Sequence, residues 1–146
     1  MSFRARRPRI GQADAMHVII VGAGNLGSAI TKYGGFAAWG FEIVAVVDVD
    51  DVKIGSPIDG LTIEPFDSVR IIVPERDVQI GVIATPPDAA QQAADELMAA
   101  GIRSILNLAP VILKTRDDVI VRRIDLSTEL GILAYHLSSA STGEAS

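Results

Sequence analysis

His17-Val18-Ile19-Ile20-Val21-Gly22-Ala23-Gly24-Asn25-Leu26-Gly27 decides the fold. After His17 its first half is apolar at every position, the pattern of a strand covered on both faces, as in a parallel sheet. Its second half is G-x-G-x-x-G. The residues that follow put Leu26, Ala29, Ile30 and Tyr33 on one helical face before Gly34-Gly35 stops the pattern. Strand, glycine turn and helix in that order give the motif a mechanism. Gly22 permits the tight turn, Gly24 lets a pyrophosphate approach the backbone, and Gly27 lets the helix lie close on the strand. Ala23, Asn25 and Leu26 complete the turn, where free N–H groups and the helix dipole favour an anion.

Reading outward, Glu42 to Asp48 (EIVAVVD) is a second strand. Asp48 ends it about 20 residues beyond the glycines, where a carboxylate can hydrogen-bond the adenosine ribose hydroxyls. The same charge repels a 2′-phosphate, which favours NAD(H) over its phosphorylated form. Val49 follows in the same loop and is counted with the site; Lys53 is the nearest cation. Gln79 to Thr85 reads as a third strand, Arg103 to Leu108 as a fourth and Val119 to Ile124 as a fifth, with a minor strand within Ile58 to Ile63. Helices are expected over Phe66 to Val73 and from an N-cap at Asp88 to Gly101. A last one begins near Asp125 and buries Leu126, Leu130, Leu133, Ala134 and Leu137. This alternation predicts a doubly wound parallel α/β sheet of the Rossmann, NAD(P)-binding kind. Ligands of such sheets bind beyond the carboxyl ends of the strands. Two further loops reach that edge, Thr85-Pro86-Pro87 and Asn107-Leu108-Ala109-Pro110. Thr85, Pro86, Asn107, Ala109 and Pro110 are therefore expected on the nicotinamide side.

The chain has 146 residues, 49% hydrophobic and 21% charged, which excludes disorder for its bulk and suits one domain. No apolar run is long enough to span a membrane. With no cysteine there are no disulfides, no thiolate metal site and no cysteine nucleophile, a composition that suits a cytoplasmic protein. Net charge is −5. Arg4, Arg6, Arg7 and Arg9 oppose only Asp14 in residues 1–16, so the rest is strongly acidic and a poor surface for duplex DNA. The expected division is a basic flexible tail over 1–15, the Rossmann domain over 16–124, a C-terminal helix over 125–138 and a disordered tail over 139–146. Catalytic groups are thin. His17 starts the first strand on the wrong edge and His136 sits in the last helix, so no residue is assigned a catalytic role, and no metal site is expected. The site reads as one that holds a dinucleotide without transforming it. A small NAD-dependent oxidoreductase and a nucleotide- or CoA-binding module stay open as alternatives.

The combined motifs resemble the Rex redox-sensing repressors. The resemblance rests on Val21 to Gly27, Tyr33-Gly34-Gly35-Phe36, Gly40 to Val44, Asp48-Val49-Asp50, Lys53-Ile54-Gly55, Gly101-Ile102, Ile105 to Val111 and Asp125 to Leu130, collinear across His17 to Leu137. It implies a homodimer that reads the NADH/NAD+ ratio, with a terminal helix exchanged between subunits. It also implies allosteric roles for Tyr33 and Asp125 in the redox-linked rearrangement. Operator DNA is bound in that family by a winged-helix domain, for which the 16 residues before His17 leave no room. Leu108 replaces the family's usual phenylalanine, and Pro86 stands where valine is common.

Overall fold

The computed structural model describes residues 15–125 and 130–138. Strand β1 (Met16–Val21) leads through the glycine turn into helix α1 (Asn25–Lys32), a 3₁₀ turn (Gly34–Trp39) and β2 (Phe41–Asp48). A hairpin of β3 (Pro57–Ile58) and β4 (Leu61–Pro65) passes through a 3₁₀ turn (Phe66–Ser68) into α2 (Val69–Glu75). Then come β5 (Val78–Ile83), α3 (Pro87–Ala99), β6 (Ser104–Asn107) and β7 (Ile120–Arg123). A final helix, α4, occupies 130–138. The sheet order is β3-β4-β2-β1-β5-β6-β7, parallel throughout except for the β3–β4 hairpin. Strand order reverses at β1, between β2 and β5, so the switch point of this doubly wound sheet lies beyond the carboxyl ends of β1 and β5.

Alternate residues of the central strands serve two different cores. Ile19, Val21, Ala45 and Val47 face α2 and α3, where Val69, Ile72, Ala90 and Leu97 close over them. Gly81 makes this closure possible: a Cβ there would lie 2.6 Å from Leu97 Cδ1. Val18, Ile20, Val46 and Val82 face the other way, toward Ile58, Ile63 and the half-buried Ile30 of α1. This second face is incompletely covered. An apolar groove of about 510 Å³ runs along it between Phe36 and Phe41 at one end and Leu108 and Ile124 at the other.

Several expectations are corrected. The minor strand within 58–63 is a two-strand hairpin turned by Asp59 and Gly60, both at positive φ (47° and 83°). The helix expected over 66–73 begins as a 3₁₀ turn and extends to Glu75. Helix α1 ends at Lys32, and Tyr33 takes an extended conformation (ψ 114°) that removes it from the face of Leu26 and Ile30. Its ring is 58% exposed and meets Phe36 edge-on at 4.9 Å. Helix α3 starts two residues earlier than expected, with Pro86 at the N-cap position and Pro87 in its first turn, because the proline ring fixes φ for a helix start. Asp88 then lies in the first turn, where its charge meets the dipole instead of capping a donor. The largest correction concerns α4. Leu130, Leu133, Ala134 and Leu137, expected to be buried, are exposed, because no other part of the described chain packs on this helix. Asp125 precedes any helical residue; Leu126, the tail over 1–14 and the tail over 139–146 lie outside the described residues.

Candidate functional site

Backbone bonds gather the loops at the switch point. Gly22 N–H donates to Val47 O at 2.9 Å, and Ala84 N–H to Val21 O at 2.8 Å, so the glycine turn is stitched to β2 and the end of β5 to β1. Gly22 has φ +109°, and a Cβ on it would lie 2.7 Å from Ala84 O. A Cβ on Gly27 would collide with the Gly22 carbonyl, which is why the helix can lie on the turn only with glycine there. Gly24 is different: a Cβ would meet nothing within 4 Å, so its absent side chain leaves open space above the backbone. The first α1 bond runs from Ser28 N–H to Gly24 O. The amides of residues 25–27 therefore have no acceptor within the helix and are available to an anion.

These loops border a cleft of about 300 Å³. Of the expected site residues, Gly22, Gly24, Asp48, Val49, Thr85 and Pro86 line it. Asp48 is central. Its Oδ2 accepts the Ala23 N–H at 2.7 Å and its Oδ1 accepts the Asp50 N–H at 2.9 Å. An ionised carboxylate offers about four lone-pair sites, so two remain for a ribose diol. Thr85 Oγ1 donates to Pro86 O at 3.0 Å. The expected residues Ala23 and Gly27 are buried beneath the turn, Asn25 is exposed at the helix start, and Leu26 lines the apolar groove instead.

The 107–110 loop does not enter this cleft. Asn107 is fully buried. Its amide donates to Val111 O at 2.7 Å, and its Oδ1 accepts the Ala109 N–H at 2.9 Å. The side chain thus holds its own loop, an Asx-type turn, with Ala109 buried beside it and Pro110 exposed. The cleft also contains Lys53, Phe66 and Gln92, which the sequence reading did not assign to the site. A signal existed for Gln92. Helix α3 starts at the carboxyl edge, so Ala89, Gln92 and Ala93 at helical spacing share the cleft-facing side of its first turns.

The two histidines lie elsewhere. His17 is at the amino edge, its Nδ1 2.6 Å from Arg76 O and its Nε2 3.8 Å from Glu42. His136 is exposed on α4. Tyr33 also lies at the amino edge, in a depression with Phe41 and Glu42. Asp125 follows β7 at the carboxyl edge, 3.3 Å from Arg123. A sheet of six-residue strands separates these edges by about 20 Å. Within one chain Tyr33 and Asp125 are therefore not brought together. Among the described residues no group of His, Cys, Asp or Glu has the arrangement of a metal site.

The CoA binding domain family matches this chain over residues 14–111. The chain belongs to that family. The chain is also a homologue of the Rex repressors. It is 48% identical over 127 residues to the redox-sensing transcriptional repressor Rex of Streptomyces griseus, a match covering 87% of this chain and 50% of that protein. Two solved structures of RSP, a Rex-family repressor, superimpose on it. The complex with β-NADH gives a TM-score of 0.80 at 34% identity, covering 89% of this chain and 63% of that one. The complex with β-NAD+ and operator DNA gives 0.82 at 32% identity, covering 97% and 65%. The domain thus spans about half the length of the curated relatives it matches first.

Proposed function

We propose that this chain is the NAD(H)-binding, redox-sensing part of a Rex-type transcriptional repressor and has no catalytic activity of its own. The observation that carries this reading is the switch-point cleft, where Gly24 leaves open space at a helix N-terminus and Asp48 stands beside it. The residues fit the group. Gly22 to Gly27 would hold the pyrophosphate and Asp48 and Val49 the adenosine ribose, while Thr85 and Pro86, expected on the nicotinamide side, line the same cleft. The NADH and NAD+ complexes of the RSP relative support the same ligand. The cleft lining holds Asp48, Asp50 and Lys53 but no histidine placed for proton transfer to a substrate, which favours sensing over hydride chemistry.

Sensing needs two arrangements of the protein that NADH and NAD+ favour unequally. A homodimer supplies them. The apolar faces left open on one chain, the groove and α4, are complementary in character, and helix exchange between two copies covers both at once. Tyr33 and Asp125 lie on opposite edges of one chain, so their allosteric pairing belongs between subunits. Operator DNA is reached through a winged-helix domain of the family's kind, not through residues 16–138. Among the described residues no helix is long and apolar enough to cross a membrane, and a repressor of this class acts in the cytoplasm.

Calorimetric titration with NADH and then NAD+, beside Asp48→Ala, tests the reading. Asp48 sits where both ligands are identical. NADH should bind more tightly than NAD+, and the variant should weaken both by the same factor, about tenfold or more. Equal affinities in the wild type, or no binding, would sink the proposal. A CoA-type ligand is the second reading, supported by the family match and by Lys53 in the cleft. Against it, the Asp48 carboxylate opposes the 3′-phosphate on the CoA ribose. CoA binding tighter than NADH, and strengthened by Asp48→Ala, would favour it.

A further inference from the structure

We infer that Asp48 is also the positioning residue of the glycine turn, fixing the phosphate-binding backbone before a ligand arrives. The inference rests on the cleft being the dinucleotide site proposed above, and it deepens that reading. Both carboxylate oxygens are engaged by backbone donors, Ala23 N–H at 2.7 Å on Oδ2 and Asp50 N–H at 2.9 Å on Oδ1. These donors belong to different loops, one after β1 and one after β2, and Asp48 is the side chain that ties them. The Ala23 amide lies between Gly22, at φ +109°, and Gly24, whose Cβ position is empty. This N–H lies in the Gly22–Ala23 peptide, and glycine on its N-terminal side gives that peptide more rotational freedom than a residue with a Cβ would. No packed side chain from Gly24 restrains it. The Gly22 N–H is held by Val47 O at 2.9 Å and the Ala23 carbonyl by Ser28 Oγ at 3.1 Å, but the Ala23 N–H itself is held by a charge-assisted bond from a residue 25 positions away, of a kind about twice as strong as neutral ones.

The consequence is chemical. The Gly22–Ala23 and Ala23–Gly24 peptides set where the pyrophosphate oxygens can rest, and Asp48 sets where the ribose can rest. Because the two are bonded to each other, the distance between the ribose and phosphate subsites is built into the ligand-free protein. Asp48 thereby acts on the phosphates through Ala23 without touching them. Its bonds to Ala23 and Asp50 also keep the carboxylate from swinging out to admit a 2′-phosphate.

The experiment is amide hydrogen exchange by NMR on ligand-free protein. In Asp48→Ala the Ala23 amide should exchange at least tenfold faster, while Ile20 and Val46 in the strands keep their wild-type rates. Asp48→Asn, whose amide oxygen can still accept from Ala23, should recover part of the protection. In the wild type, a scalar coupling through the hydrogen bond from Ala23 ¹⁵N to Asp48 ¹³Cγ should be seen, a measurement that stands even if the alanine variant fails to fold. Unchanged Ala23 exchange in a folded Asp48→Ala, or no coupling in the wild type, would overturn the inference. Protection that depends on Asp48 in a protein that binds no NADH would uphold it while overturning the proposed ligand.

Discussion

The two faces of this sheet are made by the same strands and finished differently. On one, Ile19, Val21, Ala45 and Val47 lie under α2 and α3, and Leu97 is wholly buried against Gly81. On the other, Ile80, Leu106 and Leu108 are only partly covered, and the groove above them is walled by apolar side chains alone. Alternation along a strand gives each face a similar supply of branched aliphatic residues, so composition does not distinguish them. The difference is how much helix the chain returns to each side: α2 and α3 on one, the eight-residue α1 on the other. A closed face contributes to the stability of the single chain; an open one contributes only when something else arrives, and the exposed Leu130, Leu133 and Leu137 of α4 are in the same position.

Breaking the closed face should have the largest effect. Leu97→Ala removes a fully buried side chain and should cost about 3 kcal/mol, seen as a lower urea midpoint at unchanged slope and independent of protein concentration. Gly27→Ala acts where the turn meets α1. Its methyl collides with the Gly22 carbonyl, and the strain should cost about 2 kcal/mol while abolishing NADH binding in calorimetry. On the open face, Leu106→Ala should cost less than about 1 kcal/mol at high dilution and more as concentration rises. Leu133→Asp on α4 should leave dilute stability unchanged and convert dimer to monomer in sedimentation velocity. A monomeric wild type, or Leu106→Ala and Leu97→Ala behaving alike at every concentration, would erase the distinction between the faces.

The smallest effect lies on the outer surface of the closed face. The Arg70 guanidinium bonds Glu96 at 2.9 and 3.1 Å and holds its carboxyl below the ordinary carboxylate value. The stabilisation is complete above the unfolded carboxylate's titration and fades as pH falls through the lower folded value. Glu96→Gln should therefore lie slightly below wild type in urea midpoint at neutral pH and converge with it in strong acid. Arg70 is exposed and Glu96 partly so, and solvent screening keeps the difference small.

The central architecture was legible because β1, β2 and β5 are covered on both faces and carry no alternation to misread. The glycine turn and Asp48 were legible because the motif's order and spacing have a mechanical meaning. The Asp59-Gly60 turn was legible in principle, since that dipeptide between apolar residues is a strong hairpin signal, and it was passed over for a single strand. Asn107 has a local role that the sequence reading did not assign to it. Its position at the carboxyl edge suggested a ligand contact, but its amide closes a local turn two to four residues on, a competition that polarity alone does not reveal. The face of α4 was correctly read as apolar. Its leucines are exposed in the described chain, and periodicity alone names no partner for them.

The central place of β1 also sets a schedule. It is made before both of its neighbours, yet Ile20 pairs with both Val46 and Val82, and the second of these comes some sixty residues later. At ordinary rates of synthesis that is a wait of roughly 3–12 s in which the most apolar segment of the chain lacks one of its two neighbours. The strand that anchors the finished sheet is the one that stays adhesive longest during translation, and crowding among nascent chains should tell on yield before it tells on the folded product.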